Sequence, residues 1–152
     1  MTDASKHDPG CIFCAALAAA DREPLIVWRG RLAFILLNKF PYNNGHLMVV
    51  PNRHVGRLAD LERAEATEFL ELVQAAERTL ERVYQPHGLN LGVNLGKAAG
   101  AGVLDHLHMH VVPRWHGDTN FMSVVGETRV LPEELPATAQ RLKSALTDAL
   151  KG

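Results

Sequence analysis

A chain of 152 residues, 47% of them hydrophobic and 22% charged, has enough apolar material for one core, and its net charge of −1 provides no broad basic surface for nucleic acid. The opening stretch MTDASKHDPG lacks the apolar segment of a secretory signal, no run is long enough to span a membrane, and two cysteines are too few for a disulfide framework. The expectation is a cytoplasmic protein that needs neither membrane nor nucleic acid, with residues 1–10 as a flexible arm and residues 11–152 as a single domain. A small anionic ligand remains compatible with the charge, because a pocket of backbone N–H groups holds phosphate without altering it.

In chain order, the alanine-rich stretch Ala15 to Ala20 predicts a short helix after Cys11 and Cys14. Leu25 to Arg29 and Leu32 to Leu37 are rich in strand formers and predict a hairpin turning at Gly30-Arg31. Lys39 to Gly45, with Pro41, Asn43, Asn44 and Gly45, reads as a loop, and Leu47 to Val50 as a short strand closed by Pro51. Glu62 to Tyr84 predicts the longest helix. Ala66, Phe69, Leu70, Val73, Ala76, Leu80, Val83 and Tyr84 recur at spacings of three and four, and Pro86-His87-Gly88 ends it. Leu89 to Leu95 predicts a strand, Gly96 to Gly102 a glycine-rich loop, and His106 to Val112 a further strand. From Pro132 to Leu150 a second helix is expected, with Leu135, Leu142, Leu146 and Leu150 as its stripe.

The chemistry concentrates in His106-Leu107-His108-Met109-His110-Val111-Val112, which holds three of the chain's eight histidines. Alternate residues of a strand share a face, so the three imidazoles line up roughly 6.6 Å apart while Leu107, Met109 and Val111 anchor the other face. Such a row suits a metal site, nucleophilic attack on phosphorus, or three satisfied core histidines. Asn94 and the glycine-rich loop just upstream suit close backbone approach to a phosphate, although such loops also serve as plain turns. Cys11-Ile12-Phe13-Cys14 is a C-x-x-C pair that suits zinc better than redox chemistry, since no strand precedes it. Two further ligands would close a tetrahedral site, and His54 and one histidine of the row are eligible.

These residues together resemble the histidine triad superfamily of nucleotide hydrolases and transferases over about residues 11 to 115. The resemblance rests on His106 to Val112, Cys11 to Cys14, Leu37-Asn38, Gly45-His46 before an apolar strand, and Pro51 with His54. It implies an α+β, HIT-like fold: a five-stranded antiparallel sheet with one long helix and a C-terminal helix, usually as a homodimer. It implies a structural zinc on Cys11, Cys14, His54 and His106. It makes His108 the nucleophile that forms a nucleotidyl-imidazole, and His110 a donor to a phosphoryl or leaving-group oxygen. Asn38 would reach the ribose. Asn94, Gly100, Ala101 and Gly102 would line the phosphate path, and His46 would support the nucleophile's surroundings from behind.

One departure stands out. Gly100-Ala101-Gly102-Val103-Leu104 lacks the glutamine or serine that many members carry there, so phosphate contacts would fall on backbone N–H groups. The stretch Pro113 to Phe121 resembles the branch that contains bacterial diadenosine tetraphosphate phosphorylases, in which inorganic phosphate is the acceptor. Arg114 and Trp115 read either as contacts to a second nucleotide or as a surface arginine and a packed tryptophan. Alternatives to a dinucleoside polyphosphate are a nucleoside phosphoramidate, a nucleoside monophosphate ester, or a zinc-stabilised nucleotide-binding protein with incidental turnover.

Overall fold

The computed structural model describes residues 10–102, 105–118 and 133–151. The expected N-terminal arm, Gly10 excepted, lies outside that range, as do Val103, Leu104, Phe121 and Pro132. The architecture is α+β, as expected. Helix α1 (Ile12–Ala18) leads into the strands β1 (Ile26–Arg29), β2 (Ala33–Leu37) and β3 (Leu47–Pro51). The long helix α2 (Arg63–Tyr84), the strands β4 (Gly88–Val93) and β5 (Met109–Arg114), and helix α3 (Leu135–Lys151) follow. The five strands form one antiparallel sheet in the order β1-β2-β3-β5-β4.

Alternation along the strands builds two cores. Val27, Ala33, Ile35, Leu37, Leu47, Val49 and Val111 face α2 and α3. Ile26, Phe34, Leu36, Met48 and Val50 face α1, where they bury Phe13, Ala16 and both cysteines. Full burial of one such aliphatic or aromatic side chain contributes about 1.5–3 kcal/mol, so the central strands, covered on both faces, anchor the molecule.

Three expectations need correction. The apolar spacing puts Ala66 and Leu70 on the buried face of α2, but Ala66 is exposed and Leu70 is 56% exposed, whereas Leu72 is 3% exposed. At about 100° per residue Leu70 and Leu72 lie roughly 160° apart around the axis, and the arc that meets the sheet runs through Glu65, Phe69, Leu72, Val73, Ala76 and Leu80. The helix ends where Gln85 takes a left-handed backbone (φ 48°) before Pro86. Second, β4 stops at Val93, leaving Leu95 exposed. Third, β5 begins at Met109, not His106. Its pairing with β3 runs only from Leu47↔Val111 to Val49↔Met109. Beyond that point Pro51 has no N–H to donate. Its carbonyl is instead taken by the His106 ring, and Leu107 N–H turns to the Val55 carbonyl at 2.7 Å.

The β1–β2 turn is held from α2. Glu68 accepts the N–H groups of Leu32 and Ala33, the latter at 2.6 Å. Gly30 is required there, because a Cβ would sit 2.7 Å from the Ala33 carbonyl oxygen and 2.9 Å from the Glu68 carboxylate. Charged acceptors of this kind contribute about 1.5–3 kcal/mol per hydrogen bond. Glu68→Ala should therefore lower unfolding stability by roughly 2 kcal/mol, read as a lower urea midpoint with an unchanged denaturant slope.

Candidate active site

The C-x-x-C pair opens α1. Cys11 caps the helix and Cys14 follows three residues on, so both thiols project to the same side. Cys11 Sγ lies 3.2 Å and Cys14 Sγ 3.6 Å from His106 Nδ1, and Cys14 Sγ lies 3.4 Å from His54 Nδ1. All four ligand atoms fall within 4.8 Å of one another. A tetrahedral ion with bonds of about 2.0–2.3 Å needs donors roughly 3.3–3.8 Å apart, so this set fits one. The His106 ring is turned correctly for it. Nε2–H donates to the Pro51 carbonyl at 2.8 Å, which leaves the Nδ1 lone pair facing the thiols. Next to His54, Arg53 grips the buried Glu65 through Nε and NH2 at 3.1 and 2.8 Å, tying the loop to the start of α2.

The three triad histidines stay on the α1 side of the sheet even though the first two precede β5. Leu107 and Val111 are buried on the opposite side, with Met109 packed against them. Phe13 fills the space behind the row, with ring centroids 5.4 Å from His106 and 4.9 Å from His108. His108 is buried, and its Nδ1 lies 3.0 Å from the His106 carbonyl. A carbonyl can only accept, so Nδ1 carries the proton and the neutral ring keeps a lone pair on Nε2.

His110 is set by a different neighbour. Tyr42 N–H donates to His46 Nδ1 at 3.1 Å. That nitrogen must be unprotonated, so neutral His46 carries its proton on Nε2 and donates it to His110 Nδ1 at 2.9 Å. His110 is thereby left with an N–H on Nε2. The Asn38 amide nitrogen approaches His46 Nε2 more loosely, at 3.4 Å, while Asn38 Oδ1 accepts from Phe40 N–H at 3.0 Å. Burial, and then the charge His110 would carry, lowers the His46 pKa to about 4. Burial, and then His108, lowers that of His110. Both rings are neutral near pH 7, as the hydrogen-bond chain requires.

The structure brings Asn38, His46, His108 and His110 together, and gathers Cys11, Cys14, His54 and His106 beside them. His46 touches His110, whose ring in turn lies 4.9 Å from that of His108. Asn94, Gly96 and Ala101 line a cavity of about 330 Å³ with Arg57, Asp105 and His106, while His108 and His110 are not in its wall. Gly100 lies beside Asn94, whose amide nitrogen is 3.9 Å from where a Cβ would stand. Gly102 is exposed. Arg114 pairs with Asp118, and Trp115 packs edge-on against Tyr84 at 6.4 Å. Sequence reasoning missed Phe13, the Pro51 carbonyl and the Tyr42 N–H. The last two are main-chain groups, which no residue-type pattern marks. Phe13, inside the C-x-x-C pair, was legible only as an apolar residue.

An alternating row of imidazoles leading into β5 of a five-stranded α+β sheet, beside a thiol–imidazole cluster, is a pattern that resembles histidine triad proteins. Residues 21–117 match the HIT domain, and the chain belongs to that family. It is 45% identical over 138 residues to a Mycobacterium tuberculosis protein named AP-4-A phosphorylase, covering 91% of this chain and 71% of that one. It is 33% identical over 93 residues to a Schizosaccharomyces pombe bis(5'-nucleosyl)-tetraphosphatase (asymmetrical), covering 61% of this chain and 50% of that one. Its fold is similar to the crystal structure of a zinc-bound histidine triad family protein from Mycobacterium smegmatis. That match has a TM-score of 0.72 at 26% identity and covers 91% of this chain and 94% of that one.

The depressed His46 pKa fixes a pH window for stability. Unfolded, the ring protonates near its ordinary 6.5; folded, it stays neutral down to about 4. Between those values the unfolded chain binds more protons. The full contribution is thus present above pH 6.5 and is lost progressively on the way down to 4, by up to about 3 kcal/mol. Melting temperature should fall more steeply with acid in the wild type than in His46→Gln, acid release of any bound metal being common to both. Parallel curves would contradict the assignment.

Proposed function

We propose that the chain, acting as a single domain over residues 11–152, is a nucleotidyltransferase that cleaves dinucleoside polyphosphates such as diadenosine tetraphosphate. His108 Nε2 attacks the α-phosphorus, the phosphoanhydride bond breaks, and a nucleoside polyphosphate leaves. An oxygen of inorganic phosphate then attacks the nucleotidyl-imidazole, the P–N bond breaks, and His108 is restored. From diadenosine tetraphosphate the products are ATP and then ADP. The observation that carries this reading is the bond from His108 Nδ1–H to the His106 carbonyl, which in the neutral ring leaves the lone pair on Nε2. His110 Nε2–H faces the developing charge on the leaving oxygen, and His46 holds it there. Asn38 reaches the ribose, and Asn94 with the backbone of Gly100, Ala101 and Gly102 flanks the phosphates. The 45% identical relative named AP-4-A phosphorylase supports phosphate as the acceptor. The relative named as a tetraphosphatase keeps water as the competing one.

Cys11, Cys14, His54 and His106 would hold a structural zinc. A closed set of two thiolates and two imidazoles supplies folding energy and leaves no open position for substrate. Two cysteines kept as thiols suit a reducing compartment, the cytoplasm. A homodimer through β4 completes the reading. That strand is outermost in the sheet, and Leu91 and Leu95 are 42% and 44% exposed.

Two experiments test these roles. His108→Asn should lower turnover of diadenosine tetraphosphate by roughly 10⁴-fold or more while nucleotide still binds. In the wild type, ADP and continued release of ATP should require phosphate, with at most one equivalent of ATP per site formed without it. ATP and AMP formed equally without it would point to hydrolysis, and unchanged turnover in the variant would remove the covalent step. For the metal, purified wild type should carry about one zinc per chain, and Cys11→Ser should lose it together with thermal stability. A fully stable, metal-free wild type is the contrary result.

A further inference from the structure

A second polar cluster joins the end of β5 to the loop that precedes His46. The Asp118 carboxylate accepts from Arg114 Nε and NH2 at 2.7 and 2.9 Å, from Trp115 N–H at 3.1 Å, and from the Asn43 amide at 2.8 Å. The Asn43 amide nitrogen also lies 2.8 Å from the Pro113 carbonyl, so both of its hydrogens are engaged. The Arg114 guanidinium lies over the Tyr42 ring at 4.9 Å. Arg114, followed by the Trp115 and Asn43 bonds, holds the Asp118 carboxyl well below the usual carboxylate range, as expected for an anion with several donors.

The two loop residues gripped in this way are the two that set His46. Tyr42 N–H donates to His46 Nδ1, and the Asn43 carbonyl accepts His46 N–H at 3.2 Å. The next link runs from His46 Nε2–H to His110 Nδ1. An unbroken series of contacts therefore leads from Asp118 through Asn43 and His46 to His110. Which nitrogen of a neutral imidazole bears the proton is decided by the partner it meets. Tyr42 N–H decides it here only while the loop keeps that group pointed at the ring.

We propose that Asp118, acting through Asn43, is a positioning residue: it pins the Tyr42 N–H against His46 and so keeps His46 and His110 in the tautomers that present the His110 Nε2–H to the reacting phosphate. The catalytic half of this inference rests on the function proposed above, whereas the tautomer half does not.

The test uses full-length protein purified with its metal and labelled with ¹⁵N in histidine. Long-range ¹H–¹⁵N correlation spectra, recorded without substrate, report the protonated nitrogen of each ring. In the wild type His46 and His110 should both be protonated at Nε2 alone. Asp118→Ala and Asn43→Ala should each give mixed tautomers at His46, with kcat on diadenosine tetraphosphate down roughly 10- to 100-fold and KM little changed. Asn43→Ala leaves the Arg114–Asp118 pair in place and carries the test if Asp118→Ala does not fold. Wild-type tautomers in a folded variant, with only a lower melting temperature, would overturn the proposal, since a merely structural cluster behaves that way. Unchanged kcat overturns it as well. Altered tautomers in a protein whose wild type turns over no dinucleotide would support the coupling and reject the catalytic reading.

Discussion

The site depends on a simple asymmetry of the peptide group: its oxygen can only accept a hydrogen bond and its N–H can only donate. Each imidazole of interest meets one of these groups directly or at one remove, and the encounter decides what the ring can do. His106 meets the Pro51 carbonyl through Nε2, so Nδ1 is left for the thiol cluster. His108 meets the His106 carbonyl through Nδ1, so Nε2 is left as a lone pair. His110 meets the Tyr42 N–H through His46 and is left as a donor. Three chemically identical side chains thus become a metal ligand, a nucleophile and a hydrogen-bond donor in the proposed mechanism. The groups that differentiate the rings are main-chain and imidazole groups, and the charged Asp118 acts on them only through the Tyr42–Asn43 loop.

That outcome requires a sheet packed on both faces. Leu107 and Val111 are drawn into the core under α2 and α3, which commits the intervening histidines to the side where α1 supplies Phe13 and the cysteines. The row is therefore not free to flip, and burial lowers the pKa of His110 and of the His46 ring beside it. The loop between β2 and β3 must then deliver Tyr42 and His46 to the same edge. It turns at Gly45, where φ is +80° and a Cβ would stand 2.8 Å from the Tyr84 ring. A side chain there would push the loop off α2 and carry His46 with it.

Much of this was legible because the deciding patterns are short and periodic. Alternation across His106 to Val112 gave the face of each histidine, and the C-x-x-C spacing offered the cysteines with His54 and one histidine of the row, while the family resemblance implied that this one is His106. The five strands and both long helices followed from period and punctuation. What the sequence hid were relationships set by position in space. The exposed Leu70 depends on which arc of α2 meets the sheet: apolar spacing found Phe69, Val73, Ala76 and Leu80 but chose Leu70 where the sheet takes Leu72. The late start of β5 depends on a proline in a partner strand distant in sequence. The partnership of His46 with His110 depends on a loop whose composition announces a turn and says nothing of where its N–H groups point.

His106 has a further consequence for how the two halves of the site relate. Its ring belongs to the thiol cluster, and its own carbonyl is the group that orients the His108 ring. Rotating that peptide would withdraw the acceptor from His108 Nδ1, and the two tautomers of His108 would then compete for Nε2. The peptide resists rotation from both ends. The ring is held by the Pro51 carbonyl and the cysteines, and the next N–H is held by the Val55 carbonyl at 2.7 Å. An ion on the four ligands would stiffen the first of these restraints without approaching the phosphate. On the proposed roles, a metal held by His106 would influence reactivity at His108 through main-chain geometry alone, because His106 also supplies the orienting carbonyl.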